Sequence, residues 1–247
     1  MAAEKTVRVR VPGLVLYEPV FKAMKTFTAQ RTAGTPDEIW LVEHEPVFTL
    51  GASKNRSHLL NTQDVPVIQT DRGGDVTYHA PGQAVLYLLL DIRRGNSGRW
   101  FAKEVVTQME EAIVDTLKKY QITGERRPGA RGIYVSAYDS GHADYQKWAG
   151  AKIAAIGLKV SKNGCVYHGL SLNVSMDIEP FSWINPCGEV NVASVDMKTL
   201  GKDASVSDVQ QDLLWALGSR LGLELPLTDF SDLSEDAGFI DELNALA

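Results

Sequence analysis

Hydrophobic and polar residues alternate with a period of two over much of the chain, which predicts short strands. The last two predicted strands are joined by Ser161-Lys162-Asn163-Gly164, whose Asn-Gly pair is typical of a hairpin turn. The run AVLYLLLDI is apolar almost throughout and predicts a strand that is covered on both faces. The predicted strands span residues 7–11, 39–42, 47–50, 65–69, 84–92, 133–135, 153–160 and 166–174.

Three segments instead carry apolar residues at the 3.6-residue spacing of an amphipathic helix. The first predicted helix spans about residues 18–31 and the second about residues 100–120. The third follows Ser207, which we expect to cap it together with Gln210 three residues later. The apolar side of this last helix is formed by Leu213, Leu214, Leu217 and Leu221.

Strands outnumber helices in this pattern, and hairpins dominate the middle of the chain. The arrangement predicts an α+β fold with a mixed, largely antiparallel sheet and flanking helices. No repeat or linker marks a boundary, so we expect one domain over residues 1–247. Residues 138–151 are polar and predict an inserted loop, and the acidic segment of about 228–247 predicts a peripheral tail.

The composition is that of an ordinary globular protein, with 247 residues, 44% hydrophobic and 23% charged. The net charge of -6 argues against general binding to nucleic acid. No apolar run approaches the roughly 20 residues that span a bilayer, and residues 1–10 lack a signal-peptide core. We therefore expect a cytoplasmic protein that binds neither nucleic acid nor a membrane.

The most unusual stretch is RGGDVTYHAPGQ, residues 72–83. Gly73 and Gly74 reach backbone angles closed to other residues and allow a ligand to approach the main chain closely. Arg72 and His79 add a cation and a titratable group beside that backbone. Taken alone, the stretch is more typical of a glycine-rich hairpin with a surface histidine than of a ligand site.

The two cysteines stand in different surroundings. Cys165 lies in a strand-like run, where a small buried residue is usual. Cys187, between Pro186 and Gly188, lies in a segment without apolar periodicity, and a reducing cytoplasm disfavours a disulfide. A nucleophilic thiol needs a lowered pKa, commonly from a nearby cation. Lys152 supplies one if it faces the thiol; a surface lysine with a buried stem is the alternative interpretation.

Other chemistries fit the sequence less well. The five histidines show neither the paired short spacing nor the cysteine cluster of a zinc site. The chain also lacks a Walker phosphate loop, the G-x-G-x-x-G spacing of a dinucleotide site and the G-x-S-x-G elbow of a serine hydrolase. These observations favour acyl transfer through a cysteine.

Several sequence blocks, in one order, carry a resemblance to a known family. They are DEIWLVEHEPVFTLG and RGGDVTYHAPGQAVLYLLLDIR, then KIAAIGLKV, GCVYHGLSLNV and NPCG, and they span about Asp37 to Gly188. In these blocks the sequence resembles the lipoyl(octanoyl) transferases, also called lipoate-protein ligase B. The resemblance implies a biotin/lipoate protein-ligase-like fold and a single octanoyltransferase catalytic domain without a cofactor.

The resemblance also implies a reaction and its residues. An octanoyl group moves from octanoyl-acyl carrier protein to a lysine of lipoyl-carrier domains, those of 2-oxoacid dehydrogenases and of the glycine cleavage H protein. Cys187 takes the acyl chain as a thioester, Lys152 assists, and His168 is expected near the reactive centre. The matching acyl-binding positions are Arg72, Gly73, Gly74, Asp75, Val76, Thr77, Tyr78, His79, Ala155, Ile156, Gly157, Gly169, Leu170 and Ser171.

Three other functions remain open at this point. An ATP-dependent lipoate or biotin ligase of the same fold needs no catalytic cysteine, whereas an enzyme that relays octanoyl groups between carrier domains uses similar chemistry. A catalytically inactive carrier-binding module keeps the surface without the thiol chemistry. Because both protein substrates are expected to be acidic, we also expect a basic rim. Its candidate members are Arg93, Arg94, Arg99, Lys103, Arg126, Arg127 and Arg131.

Overall fold

The structure, a computed structural model, describes residues 6–94, 100–137, 143–188, 192–226 and 237–245. The strands of this part are β1 (Arg8–Val15), β2 (Glu38–His44), β3 (Val47–Leu50), β4 (Val67–Gln69), β5 (Val76–His79), β6 (Gln83–Asp91), β7 (Gly124–Arg127), β8 (Ala130–Val135), β9 (Lys152–Val160) and β10 (Cys165–Asn173). The helices are α1 (Tyr17–Gln30), α2 (Ala102–Lys119), α3 (Ala143–Gln146), α4 (Val206–Leu221) and α5 (Ala237–Ala245). Short 3-10 turns cover Arg56–His58, Ile92–Arg94, Glu179–Trp183 and Pro186–Gly188.

Two sheets organise these elements. A seven-stranded sheet has the order β1-β2-β6-β10-β9-β8-β7, and a three-stranded sheet has the order β4-β3-β5. In the large sheet β1 pairs with β2 in parallel, and the other neighbours are antiparallel. The predicted α+β fold with a mixed, largely antiparallel sheet is therefore confirmed. Within the described residues, no helix is both long and apolar enough to cross a membrane.

The apolar run of residues 84–92 forms β6, a central strand buried along its whole length. Leu86 and Leu88 point into the main core against α2 and α4, whereas Tyr87 and Leu89 point into a second core against α1. Successive side chains of a strand face opposite sides of the sheet, so a strand covered on both sides must be apolar at every position. This burial explains why the run lacks the usual alternation.

The predicted cap of the last helix is wrong by two residues. The Oγ of Ser205 accepts a hydrogen bond from the Asp208 N–H at 3.1 Å, so Ser205 caps α4 and Ser207 lies in the first turn. Ser205 has the extended backbone, φ -76° and ψ 150°, that a capping residue needs. The predicted apolar side is nevertheless buried, as Leu213 and Leu217 show.

Three further segments differ from the expectations or fall partly outside the described residues. Residues 124–127, expected only as a basic cluster, form strand β7 at the sheet edge. The acidic tail is described only at residues 237–245, where the Phe239 ring lies 4.7 Å from that of Trp40 and packs on the domain. Residues 138–142 of the predicted insertion lie outside the described residues.

Candidate active site

A cavity of about 320 Å³ opens over the face of the large sheet, next to β5 of the small sheet. Its floor includes Ala155 and Gly157 of β9 and Gly169 and Ser171 of β10. Because these residues are small, they leave room for a long, thin ligand on the sheet. The remaining lining residues are Tyr17, Arg72, Gly74, Thr77, His79, Val85, Tyr87, Gly129, Ala130, Arg131, Ile156, His168 and Leu170.

The cavity brings together eleven of the predicted site residues from three distant parts of the sequence. Val76 and Tyr78 are not among them, because alternation along β5 turns them into the core of the small sheet. Gly73 lies beside the cavity, where its N–H donates to the Leu158 carbonyl at 2.9 Å. The predicted residues in the lining are Arg72, Gly74, Thr77, His79, Ala155, Ile156, Gly157, His168, Gly169, Leu170 and Ser171.

Close backbone approach explains two of the glycines. A Cβ added at Gly169 would lie 1.8 Å from the carbonyl oxygen of Leu86 on β6. A Cβ added at Gly157 would lie 2.7 Å from the Gly73 carbonyl oxygen. The glycine-rich stretch is therefore docked on β9 and does not form a free surface hairpin.

Arg72 holds the start of that stretch in place. Its buried guanidinium donates to the Thr49 carbonyl at 2.7 Å and to the Thr49 Oγ1 at 2.8 Å. It also donates to the Gly73 carbonyl at 3.2 Å. The cation is thus tied to β3 and to its own loop, and it forms one wall of the cavity.

An irregularity in β9 aims Lys152 toward the cavity side. On β8, Tyr134 pairs with Lys152 and the residue before Tyr134 pairs with Ala154, so Ile153 is an extra, bulged residue. Regular alternation would put Lys152 on the core side with Ala154, but the bulge shifts it to the face of Ala155. Lys152 is 4% exposed, and its Nζ donates to the Tyr134 Oη at 3.2 Å.

Gly132 makes room for this lysine. Its φ is +111°, and an added Cβ would lie 2.3 Å from the Ala154 carbonyl oxygen and 3.0 Å from the Lys152 Cε. The Tyr134 ring that receives the lysine also contacts Arg127, whose guanidinium carbon lies 4.5 Å from the ring centroid. Sequence reasoning missed both Gly132 and Tyr134, because their importance depends on the register between β8 and β9.

Lys152 and the turn that carries Cys187 meet at one end of the cavity. A second cavity, of about 10 Å³, is lined by Lys152 and by Pro186 of the 3-10 turn Pro186–Gly188. It shares three residues with the larger cavity and so adjoins it. The side chain of Cys187 lies outside the described part of the structure. The shared residues are Thr77, Ala155 and Ser171.

Asp75 and His58 anchor this turn. The Asn185 N–H donates to the His58 carbonyl at 2.9 Å, and the Gly188 N–H donates to the Asn185 carbonyl at 3.0 Å. The His58 Nε2 lies 3.6 Å from an Asp75 carboxylate oxygen. Asp75 therefore acts on the turn and does not line the cavity. His58 stands alone in a polar loop of the sequence, which gave no signal for this contact.

Two buried histidines beside the cavity are neutral at physiological pH. Burial, with a smaller effect of the neighbouring His44, lowers the pKa of His79 to about 3. Burial likewise lowers the pKa of His44 to about 4. The His79 Nδ1–H donates to the Gln83 Oε1 at 2.7 Å, because the Gln83 amide nitrogen donates to the Asn173 Oδ1. The His79 Nε2 is thus an unprotonated acceptor.

The lowered pKa values predict a loss of stability on mild acidification. The unfolded chain takes up protons near pH 6.5, whereas folded His44 and His79 resist protonation until about pH 4 and 3. The free energy of unfolding should fall as the pH drops below 6.5, by about 2 kcal/mol per histidine at pH 5. Urea unfolding at pH 7 and pH 5 measures the difference. The loss should shrink in His44→Gln, and equal losses in both proteins would contradict the assignment.

Carboxylates neutralise much of the predicted basic rim. Arg93 and Arg94 both contact Asp91, and Arg131 lies exposed at the cavity. Arg99 lies outside the described residues. No cluster of His, Cys, Asp and Glu within the described residues is arranged to hold a metal ion. The other ion pairs of the rim are Arg126 with Glu110 and Glu111, and Arg127 with Glu125.

Residues 17–218 match the family model described as Lipoyl protein ligase A/B catalytic domain. The chain is 52% identical over 214 residues to the octanoyltransferase of Janthinobacterium sp. (strain Marseille), covering 86% of this chain and 94% of that protein. It is 51% identical over 222 residues to the octanoyltransferase of Herminiimonas arsenicoxydans, covering 90% of this chain and 99% of that protein. The match to the family model includes all five blocks of the sequence resemblance.

Solved structures at low identity share the fold. Lipoate-protein ligase A bound with ATP has a TM-score of 0.68 at 15% identity, over 97% of this chain and 94% of that chain. A bi-partite lipoate protein ligase from Thermoplasma acidophilum has a TM-score of 0.63 at 13% identity, over 96% and 92% of the two chains. Biotin protein ligase from Aquifex aeolicus has a TM-score of 0.54 at 11% identity, over 94% and 76%. The biotin/lipoate protein-ligase-like fold is confirmed.

Proposed function

The chain belongs to the octanoyltransferases, within the family of lipoyl protein ligase A/B catalytic domains, and we propose how it works. It transfers an octanoyl group from octanoyl-acyl carrier protein to a lysine of lipoyl-carrier domains, through a thioester on Cys187. The observation that carries this proposal is the meeting of Lys152 and the 186–188 turn at one end of a cavity with a floor of small residues. The whole reaction takes place in a single catalytic domain over residues 1–247.

The first half of the reaction is a thioester exchange. Lys152, as an ammonium ion, favours the thiolate of Cys187, which attacks the octanoyl carbonyl of the donor. A new carbon–sulfur bond forms to Cys187 as the bond to the donor sulfur breaks, and the departing thiolate takes a proton from the Lys152 ammonium ion, which becomes a neutral amine. Backbone N–H groups near Gly73 or Gly188 stabilise the oxyanion of the tetrahedral intermediate that forms during the exchange. Exchange between two thioesters is nearly isoenergetic, so this half needs no ATP.

The second half forms an amide. The lysine amine of the acceptor attacks the Cys187 thioester, and the thiol of Cys187 is expelled. A neutral base must take one proton from the amine. Lys152, left neutral by the first half, fills that role, because the low pKa of His79 makes its Nε2 a weak base. Conversion of a thioester to an amide is downhill, which makes the transfer complete without a cofactor.

The octanoyl chain lies on the small residues of β9 and β10. Each methylene that leaves water contributes about 0.8 kcal/mol, so the chain supplies several kcal/mol of binding free energy. The floor residues are the predicted acyl-binding positions Ala155, Gly157, Gly169 and Ser171. The rest of the predicted site supports this floor, with Arg72 and Asp75 holding the two neighbouring loops.

The acceptors proposed for this chain are the lipoyl-carrier domains of 2-oxoacid dehydrogenases and the glycine cleavage H protein. A structural relative points to the same class, since the T. acidophilum ligase is described together with its E2 lipoyl domain. An ATP-dependent ligase is the nearest alternative, because lipoate-protein ligase A bound with ATP has the same fold. The two functions differ in whether ATP and Cys187 are needed.

Incubation with octanoyl-acyl carrier protein in the absence of ATP tests the proposal. Intact-mass analysis should show an adduct of one octanoyl group that hydroxylamine removes, as expected for a thioester. The adduct should be lost in Cys187→Ser and retained in Cys165→Ser. Cys165 is a matched control because it is buried and burial raises the pKa of its thiol.

Three results would contradict the proposal. An adduct that persists in Cys187→Ser places the acyl group elsewhere. Lipoyl-domain octanoylation that requires ATP and free octanoate, and survives in Cys187→Ser, favours the ligase. Transfer to a carrier domain from another octanoylated carrier domain, but not from acyl carrier protein, identifies a relay enzyme.

A further inference from the structure

His168 adopts a strained backbone in the middle of a central strand. Its φ is +64°, in the left-handed region, although it belongs to β10 and is not a glycine. This conformation costs a non-glycine residue of the order of 1–3 kcal/mol and persists only where surrounding contacts hold it. Such a residue in the wall of a cavity points to a function for the side chain.

The strain moves the imidazole to the other side of the sheet. Regular alternation along β10 would put His168 beside Val166 and Leu170, in the core against α2 and α4. Instead its ring stacks on Phe21 of α1 at 5.4 Å and lies 6.4 Å from the ring of Tyr87. Both residues belong to the α1 side, so His168 and the preceding Tyr167 share one face.

A second set of contacts fixes the ring there. The His168 Nε2–H donates to the Asp71 carboxylate at 2.9 Å. Burial disfavours the charged form of Asp71, but the hydrogen bonds from His168 and Tyr167 outweigh it and hold the pKa of Asp71 at about 2. Lys25 stands 3.9 Å from the same carboxylate. The ring is 1% exposed and has little freedom to turn.

His168 stands at the end of the cavity away from Lys152, and so not near the proposed reactive centre, where the resemblance led us to expect it. It pairs with Leu158, six residues beyond Lys152 on β9. At about 3.3 Å per residue, with one residue taken up by the bulge, the two positions are roughly 16–20 Å apart along the sheet. The rings of Tyr87 and His168 both line the cavity at this end, and Phe21 and Tyr167 stack on the imidazole.

We infer that His168 is the end wall of the acyl cavity and limits the length of the acyl chain; this inference rests on the proposed function. An extended octanoyl group has seven carbon–carbon bonds and spans about 9 Å. Contact distances of about 4 Å at its two ends bring the space it needs to about 17 Å. An eight-carbon chain that starts beside Lys152 therefore ends against the imidazole, and a longer chain collides with it.

The rigid support of the ring makes this limit sharp. A flexible side chain at the end of the cavity would turn away from a longer chain at little cost. Such a movement of His168 is opposed by its constrained backbone, by its stacking on Phe21 and by its hydrogen bond to Asp71. Two additional carbons must therefore displace several fixed groups at once.

Variants of His168 test this limit directly. Glycine adopts the left-handed backbone without strain and asparagine tolerates it, so His168→Gly and His168→Asn should both fold. Tyr167 and Lys25 keep Asp71 paired in both variants. Transfer from acyl carrier protein loaded with C6 to C14 chains should peak at C8 in the natural protein. The peak should move to longer chains in His168→Asn and further in His168→Gly, with the C8 to C12 rate ratio falling at least tenfold.

Gln121→Gly is the matched control for relief of backbone strain. Gln121 has a φ of +58° just beyond the end of α2, and it is not among the residues that line the cavity. This variant should keep the natural chain-length profile. Thermal unfolding of all variants, followed by circular dichroism, reports whether each one is folded.

Calorimetry with free C8, C10 and C12 fatty acids measures the chain-length preference of the cavity by binding affinity, without the need for transfer. A natural protein that prefers C8 and a His168→Gly variant that prefers C12 support the end wall. Folded variants with the natural preference in both assays overturn it. Loss of octanoyl transfer by the natural protein with an intact C8 preference would instead reject the proposed function and leave the end wall in place.

Discussion

Replacement of Lys152 by methionine should lower octanoyl transfer by at least about a hundredfold while the protein remains folded, since a general acid–base group typically contributes 10² to 10⁴. Methionine has a similar length, and the site is buried, with a lysine exposure of 4%. In the proposed mechanism, the variant removes both the cation that favours the Cys187 thiolate and the amine that takes up protons. The turnover number with octanoyl-acyl carrier protein measures the loss.

A pH profile separates this role from a structural one. Without the ammonium ion, the thiol of Cys187 should deprotonate at higher pH, because a nearby cation is what lowers a thiol pKa. The rate of alkylation by iodoacetamide should therefore reach its midpoint at higher pH in Lys152→Met than in the natural protein. Lys159→Met, on the same strand and half-buried, is the matched control. Near-normal turnover of Lys152→Met at neutral pH would remove Lys152 from the mechanism.

Gly169→Ala should destabilise the fold by about 3 kcal/mol or more, at the upper end of the range for overpacked cores. An added Cβ would lie 1.8 Å from the Leu86 carbonyl oxygen, and that atom belongs to the backbone of a fully buried central strand. No side chain can rotate to relieve such a clash, so β6 and β10 must separate locally. The lining of the cavity at Ser171 and Leu170 moves with them.

The free energy of unfolding in urea measures this effect. Gly34→Ala is a suitable control, because the nearest atom to its added Cβ is the Thr32 Oγ1 at 4.0 Å and its φ lies outside the left-handed region. That variant should be neutral or slightly more stable, since alanine restricts the unfolded chain. A loss of less than about 1 kcal/mol in Gly169→Ala would contradict the close approach of the two strands.

Local pattern was sufficient to predict most of the fold. The apolar run of β6, the Asn-Gly turn before β10 and the three amphipathic helices depend on neighbouring residues, and each is present. The edge strand β7 was missed because its residues are polar and half-exposed, so only pairing with β8 identifies it. The cap of α4 was misplaced because Ser205 and Ser207 are both suitable residues and only the backbone distinguishes them.

The candidate site was predictable as a set of residues but not as an arrangement. The order of the blocks led to Lys152 and the floor glycines as candidates, whereas the direction of the Lys152 side chain depends on the bulge at Ile153. The positive φ of His168 could not be predicted either, because the sequence around it has the pattern of a regular strand. His58 and Tyr134 gave no signal, because their contacts with the 185–188 turn and with Lys152 join distant segments.

The bulge at Ile153 decides which face of the large sheet receives the Lys152 side chain. If β9 kept all its residues but paired with β8 without the bulge, Lys152 would share the face of Ala154 and enter the hydrocarbon interior. Deletion of Ile153 would instead leave Lys152 two residues before Ala155 on a regular strand, so the lysine would keep its face. An exchange of Ile153 for valine changes only side-chain volume and also preserves the direction of the lysine. Homologous chains should therefore carry either a bulged residue of varying identity or a strand that is one residue shorter between the lysine and the floor of the cavity.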